Sequence, residues 1–233
     1  MLYDLLLRPL AFVVLSIVFR LLGGYRVEGR GNVPKRGAVI IAPNHLSHAD
    51  PPLVGIAAPR GVWFMATTEL FGVRVFGALA RIYRAIPIRQ DSPDRAALRR
   101  VERLLGGGAA VVIFPEGHES LDGRLLPLQG GTALLAIRTG TPILPVGIVG
   151  TPAMLPARST RPRRAPAPAV VRFGRPIDAV ELAGGRKGRG AVEHATRLLA
   201  SALRDLTPEL NGPEAVHAVT SRGEGIGPHP GEA

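Results

Sequence analysis

Cysteine is absent from the 233 residues. That excludes disulfides and thiolate metal ligands, and it fits a reducing compartment. Lysine occurs only at Lys35 and Lys187, so nearly all the basic charge is arginine. Aromatic residues make up only 5%, which argues against the stacking platform of a single-strand nucleic-acid binder. Acidic residues are the minority, 18 against 29 basic, for a net charge of +11. Such an excess attracts anionic partners. A membrane surface or an anionic substrate is expected, and nucleic acid is not. No Gly-x-Ser-x-Gly or Gly-x-x-x-x-Gly-Lys segment occurs, and Gly29-Arg30-Gly31 lacks a third glycine, which argues against a serine-hydrolase elbow and against nucleotide-binding loops.

A long charge-free apolar run is also missing. The stretch from Pro9 to Phe19, between Arg8 and Arg20, would reach about 17 Å as a helix, against a hydrocarbon core about 30 Å thick. Residues 1–24 are therefore expected to form a membrane-associating helix that lies in one leaflet rather than a full span. No basic start or small-residue cleavage site marks a secretory signal. The location this implies is the cytoplasmic face of the cell membrane, with the protein peripheral or monotopic.

With 46% hydrophobic residues, the chain can build a sizeable core. Residues 25–206 read as one α/β domain. Strands are expected at 25–28, 38–42, 62–66, 85–88, 109–113, 143–149 and 170–173. Helices are expected at 53–58, 71–82, 94–105, 131–138 and 190–206. Strands alternating with helices predict a mainly parallel or mixed sheet covered by helices. From Thr207 to residue 233 the chain is rich in Gly, Pro and charge, and a disordered tail is expected.

Two loops carry the chemistry. Pro43-Asn44-His45-Leu46-Ser47-His48-Ala49-Asp50-Pro51-Pro52 follows the apolar run Ala38–Ala42. It sets a histidine and an aspartate at a strand's carboxyl end, where open α/β sheets place ligands. Histidine takes a proton near neutral pH, and a carboxylate can orient it and stabilise its charged form. His48 rivals His45 but reads as a turn residue. Phe114-Pro115-Glu116-Gly117-His118-Glu119-Ser120 follows the run Ala109–Ile113 and delivers a carboxylate, Glu116, to a second strand end. A metal site from His45, His48 and Asp50 matches no familiar ligand spacing.

Together the two loops resemble the lysophosphatidic acid (1-acyl-sn-glycerol-3-phosphate) acyltransferase family, whose first motif reads Asn-His-x-x-x-x-Asp and whose third reads Phe-Pro-Glu-Gly-x-x-Ser. Ala85-Ile86-Pro87-Ile88-Arg89 is similar to its second motif and Ile143-Leu144-Pro145-Val146-Gly147 to its fourth. The resemblance covers about residues 25–175. It implies a glycerol-phosphate acyltransferase-like fold and transfer of a fatty acyl group to the hydroxyl of a lysolipid. The expected acceptor is 1-acylglycerol-3-phosphate, giving phosphatidic acid, with a different lysolipid or another lipid alcohol as the alternative. Acyl-CoA or acyl-carrier protein would be the co-substrate, with no cofactor and no metal. His45 and Asp50 would be catalytic, the first as general base. Asn44, Glu116, Gly117, Arg89 and Ser120 would bind substrate, with Glu116 holding an acceptor hydroxyl. Backbone N–H groups after His45 or near Gly117 would meet the oxyanion. Three positions where the family commonly carries a basic residue hold Glu119, Gln90 and Gln129, leaving Arg84, Arg89 or Arg124 to hold a phosphate. Residues from Trp63 to Phe76 are available to line an acyl tunnel, with core packing as their ordinary use. The basic run Arg158–Arg164 reads as a solvated loop.

Overall fold

The computed structural model describes residues 8–72, 77, 78, 80, 82, 84–88, 94–157 and 159–211. Among them a seven-stranded sheet runs in the order β1-β7-β6-β2-β5-β3-β4. The strands are β1 (Tyr25–Glu28), β2 (Val39–Pro43), β3 (Val62–Thr67), β4 (Ile86–Ile88), β5 (Ala110–Val112), β6 (Ile143–Val149) and β7 (Ala169–Phe173). Every pairing is parallel except β6 with β7. The sheet is thus mixed but mostly parallel, with helices on both faces.

Strand alternation divides the core. In β2, Val39 and Ile41 point to one face and Ile40 and Ala42 to the other, as a period of two requires. The first face is covered by α1 (Arg8–Leu21) and α2 (Asp50–Ala57). The second is covered by α3 (Arg95–Gly106), α4 (Gly131–Thr139) and α7 (Gly188–Leu206). Two shorter helices are α5 (Thr151–Met154) and α6 (Ala179–Ala183). Close packing on the second face fixes one glycine. A Cβ at Gly147 in β6 would stand 2.7 Å from the Leu206 carbonyl oxygen at the end of α7.

Several elements differ from the sequence expectation. Helix α2 starts at Asp50, three residues before the expected Leu53. Its two prolines occupy the first turn, where a missing N–H costs no helical bond. In the segment 71–82, Thr68–Gly72 is a 3-10 helix instead, and of the residues after it Gly77, Ala78, Ala80 and Ile82 are described and helical. The chain also stays ordered past Thr207. Pro208–Leu210 forms a 3-10 turn, and Arg172 binds Glu209 through two nitrogens at 2.7 and 2.9 Å. That ion pair, together with Thr207 Oγ1 donating to the Leu203 carbonyl, holds five residues expected to be disordered. Residues 212–233 lie outside the described residues.

Helix α1 has 14 residues, and no helix among the described residues is long and apolar enough to cross a membrane. Phe12, Leu15 and Phe19 pack on the core. Leu10, Val13, Val14, Ile17, Val18 and Leu21 face outward, from 39% to 71% exposed. The loop carrying Arg161, Arg163 and Arg164 runs beside the helix's end, where Ala165 N–H donates to the Leu22 carbonyl at 2.8 Å.

Candidate active site

Strands β2 and β5 are adjacent and parallel, with Ile41 opposite Val112. Both therefore end at the same edge, and the loops that leave them meet there. This adjacency makes one site of residues 71 positions apart in the chain.

His45 is held through its backbone on both sides by the second loop. Its N–H donates to Glu116 Oε1 at 2.7 Å. Its carbonyl accepts from the Ser120 N–H at 2.8 Å. The imidazole stacks on Phe114, ring centroids 4.1 Å apart and planes 28° apart. Its Nδ1 lies 2.9 Å from Asp50 Oδ2. The same carboxylate oxygen accepts the N–H groups of Leu46 at 2.6 Å and Ser47 at 2.8 Å. Asp50 is fully buried in the first turn of α2, where the helix dipole favours a negative charge. Asp50 thus gathers three contacts on one carboxylate oxygen. It fixes the Nδ1–H tautomer of His45 and leaves the Nε2 lone pair to act as base.

Asn44 is fully buried and points away from this cluster. Its side-chain amide donates to the Ile148 carbonyl at 2.9 Å and accepts the Ile148 N–H at 2.6 Å. Both ends of the amide thus pair with the backbone of β6. Asn44 clamps the start of the loop to the neighbouring strand. Ser47 anchors the loop farther along, its hydroxyl donating to the Leu155 carbonyl and accepting the Ala49 N–H.

Glu116 is buried, 2% exposed, and each oxygen is engaged. Oε1 takes the His45 N–H, and Oε2 takes the Leu126 N–H at 2.7 Å. Glu116 therefore ties the two loops together through its carboxylate. Burial pushes its carboxyl up to about 7, outweighing the two N–H bonds that pull it down. Ser120 is turned inward as well, its hydroxyl on Asp122 at 3.0 Å. Gly117 sits exposed at the rim with φ of 80°, a conformation that favours glycine. Arg89 and Gln90 lie outside the described residues.

The oxyanion donors expected after His45 are also taken. The Leu46 and Ser47 N–H groups serve Asp50, and the Gly117 N–H serves the Phe114 carbonyl. Arg84 rests over the Trp63 ring, 5.3 Å from its centroid. Trp63 packs with the second core face, opposite Phe64.

A cavity of about 190 Å³ opens beside His45. Phe64, Met65, Ala66, Ile88, Ile113 and Phe114 supply much of its apolar wall, and His45, His48 and Gly117 stand at its polar end. Some of the 63–76 segment thus faces a cavity, not only core. Trp63 does not line it, and Val73–Phe76 lie outside the described residues.

His48 and Glu119 were missed as partners. Glu119 forms an ion pair with His48 Nδ1, and its Oε1 lies 3.8 Å from His45 Nε2. The hydrogen bond to Glu119 pushes the His48 pKa up against the effect of burial. The only sequence signal for this pair was two titratable residues in loops already singled out.

The acyltransferase family model matches residues 24–149. The chain is 29% identical over 136 residues to a chloroplastic 1-acyl-sn-glycerol-3-phosphate acyltransferase of Brassica napus, 57% of this chain and 39% of that protein. It spans about two-fifths of that relative's length. It is 30% identical over 132 residues to the lyso-ornithine lipid O-acyltransferase of Rhizobium meliloti, 55% of this chain and 44% of that protein. The crystal structure of the 1-acyl-sn-glycerophosphate acyltransferase from Thermotoga maritima superposes with a TM-score of 0.68 at 25% identity, covering 87% of this chain and 80% of the other.

Proposed function

This chain belongs to the acyltransferase family, and from that premise we propose that it moves a fatty acyl group from a thioester, acyl-CoA or acyl-carrier protein, to a hydroxyl of a lysolipid. The observation that carries the reading is the His45–Asp50 pair, with His45 in the wall of an apolar cavity.

The chemistry has few requirements. The acceptor hydroxyl gives its proton to His45 Nε2 as its oxygen attacks the thioester carbonyl carbon. Asp50, 2.9 Å from Nδ1, stabilises the imidazolium that forms. The C–O bond forms, the C–S bond breaks, and the thiolate leaves with the proton from Nε2. A thioester is already activated, so no covalent enzyme intermediate and no cofactor is required. The apolar wall of Phe64, Met65, Ala66 and Ile113 suits the acyl chain. If the acceptor matches the Brassica napus relative's name, the product is phosphatidic acid.

The reading we propose includes a membrane surface as the working place, with the cytoplasmic face as the expected side. The outward apolar side of α1 and the adjacent arginines support that placement. Apolar residues enter the headgroup boundary, and arginine draws the surface to anionic lipid.

The test is transfer of a labelled acyl group from acyl-CoA, and separately from acyl-carrier protein, to a panel of lysolipids, with His45→Ala as control. Product with at least one acceptor, lost in the variant, is expected. A variant that retains wild-type turnover, or no product from either donor, refutes the reading.

A further inference from the structure

Helix α2 has a cavity at each end. The active-site cavity meets its first turn, where Pro51 and Pro52 belong to the wall. A second cavity, of about 540 Å³, lies at its last turn. Eight helical residues separate the two by about 12 Å, and among the described residues no side chain lines both. One wall of the second cavity is α1, through Val13, Ser16, Ile17 and Arg20. Spacings of three and four residues set these four along one stripe of the helix. The opposite wall includes Gly55, Ala58 and Gly61, whose small side chains leave the groove wide.

Three arginines line this groove: Arg20, Arg30 and Arg60. Arg60 is pinned. Its guanidinium donates to the carbonyls of Pro34 at 2.9 Å, Gly37 at 2.8 Å and Gly108 at 2.9 Å. It stands three residues past the end of α2, where a cation offsets the partial negative charge of the last helical carbonyls. Arg20 and Arg30 are exposed. Arg30 lies on the 3-10 turn after β1, and that turn is anchored by Asn32, whose side-chain amide donates to the Phe173 carbonyl at 3.0 Å. The apolar wall continues outward. Val13 and Ile17 are 55% and 50% exposed, and Leu10 and Val14 extend the same face of α1.

Two guanidinium groups suit a phosphate, and the apolar stripe beside them suits hydrocarbon. A soluble phosphate leaves that stripe in water, and so does nucleic acid. We propose that the groove between α1 and the end of α2 binds one anionic phospholipid of the membrane. Its phosphate rests on Arg20 and Arg30, and its acyl chains run along Val13 and Ile17. This lipid is a bound partner and not the acyl acceptor, because the groove and His45 lie at opposite ends of α2. The site rests on the membrane placement proposed for α1 and does not depend on acyl transfer.

The experiment is sedimentation of the full chain with vesicles of phosphatidylcholine, alone or with about a third phosphatidylglycerol, at about 0.15 M salt, where charges beyond about 8 Å are screened. Arg20→Gln with Arg30→Gln should weaken binding to the phosphatidylglycerol vesicles roughly 30-fold. Arg99→Gln with Arg100→Gln removes the same charge from exposed positions on α3, across the sheet, and should cost less than about threefold. Ser16→Trp fills the groove at unchanged charge. It should weaken binding to the phosphatidylglycerol vesicles and leave binding to phosphatidylcholine no weaker, which separates an occupied groove from a merely charged surface. The arginine pairs sit at exposed positions and keep the test decisive if the tryptophan variant does not fold. Equal losses in the two arginine pairs, no loss in the first pair, or full affinity in Ser16→Trp overturns the site and leaves the membrane placement standing. No binding to either vesicle overturns both.

Discussion

Replacing Asp50 by asparagine isolates the charge of the pair from its geometry. The carboxylate oxygen that faces His45 also accepts two backbone N–H groups. An amide oxygen in its place keeps those two bonds and still accepts from Nδ1. What disappears is the attraction between anion and imidazolium. At 2.9 Å and an effective dielectric of about 20, that attraction is about 6 kcal/mol. The neutral hydrogen bond that remains returns roughly 1 kcal/mol. A net loss of about 3–5 kcal/mol in the transition state corresponds to a kcat lower by about 10²–10⁴. The acceptor KM should change little, because the charge appears only as the proton moves. Asp50→Ala should behave differently. It also strands the Leu46 and Ser47 N–H groups, at about 1–3 kcal/mol each, and should lower stability as well as turnover. The assay is steady-state turnover at saturating acceptor, with urea unfolding of each variant. An Asp50→Asn protein whose kcat stays within threefold of wild type refutes the role given to the pair. So does a loss confined to KM.

Other outcomes follow from the same geometry. Burial raises Glu116 from an ordinary 4.5 to about 7, so between those pH values the unfolded chain releases a proton that the native chain keeps. Stability should therefore fall as pH rises through that window, by at most about 3 kcal/mol. Unfolding at pH 5 and 7.5 should show this decline in wild type and a flatter profile in Glu116→Gln; equal profiles refute it. Asn44→Ala should cost about 2–5 kcal/mol of stability by orphaning the N–H and C=O of Ile148. A raised acceptor KM at unchanged stability would instead make Asn44 a substrate contact. Val14 and Ile17 are 49% and 50% exposed on α1, and changing both to aspartate should release the protein from anionic vesicles without lowering its unfolding midpoint. Sedimentation with vesicles checks this, and retained binding refutes a membrane role for that face.

Much of the scaffold was legible in the chain. Apolar runs such as Val39–Ala42 and Ile143–Val149 are buried on both sides, and only strands in the middle of a covered sheet need such continuous runs. The amphipathic helix from Arg95 to Gly106 was readable from its period, with Asp94 accepting the N–H groups of Ala96 and Ala97 at its start. The Thr207 region was misread because its order depends on Arg172 reaching Glu209, 37 residues apart in the chain.

For the site, the sequence by itself determined the residue types and their place at strand ends. A strand's carboxyl end and the turn after it are local properties, set by apolar runs, prolines and glycine. What each side chain does was decided by tertiary structure. Asn44, Glu116 and Ser120 look like ligands for a substrate when read in line. Once β6 and β5 are laid against β2, Asn44 meets the backbone of Ile148, Glu116 meets the N–H groups of His45 and Leu126, and Ser120 meets Asp122. His48 and Glu119 look incidental in line, and only the meeting of the two loops sets a carboxylate beside His45. Which groups are buried together depends on pairings between distant segments, and one-dimensional spacing carries no record of them.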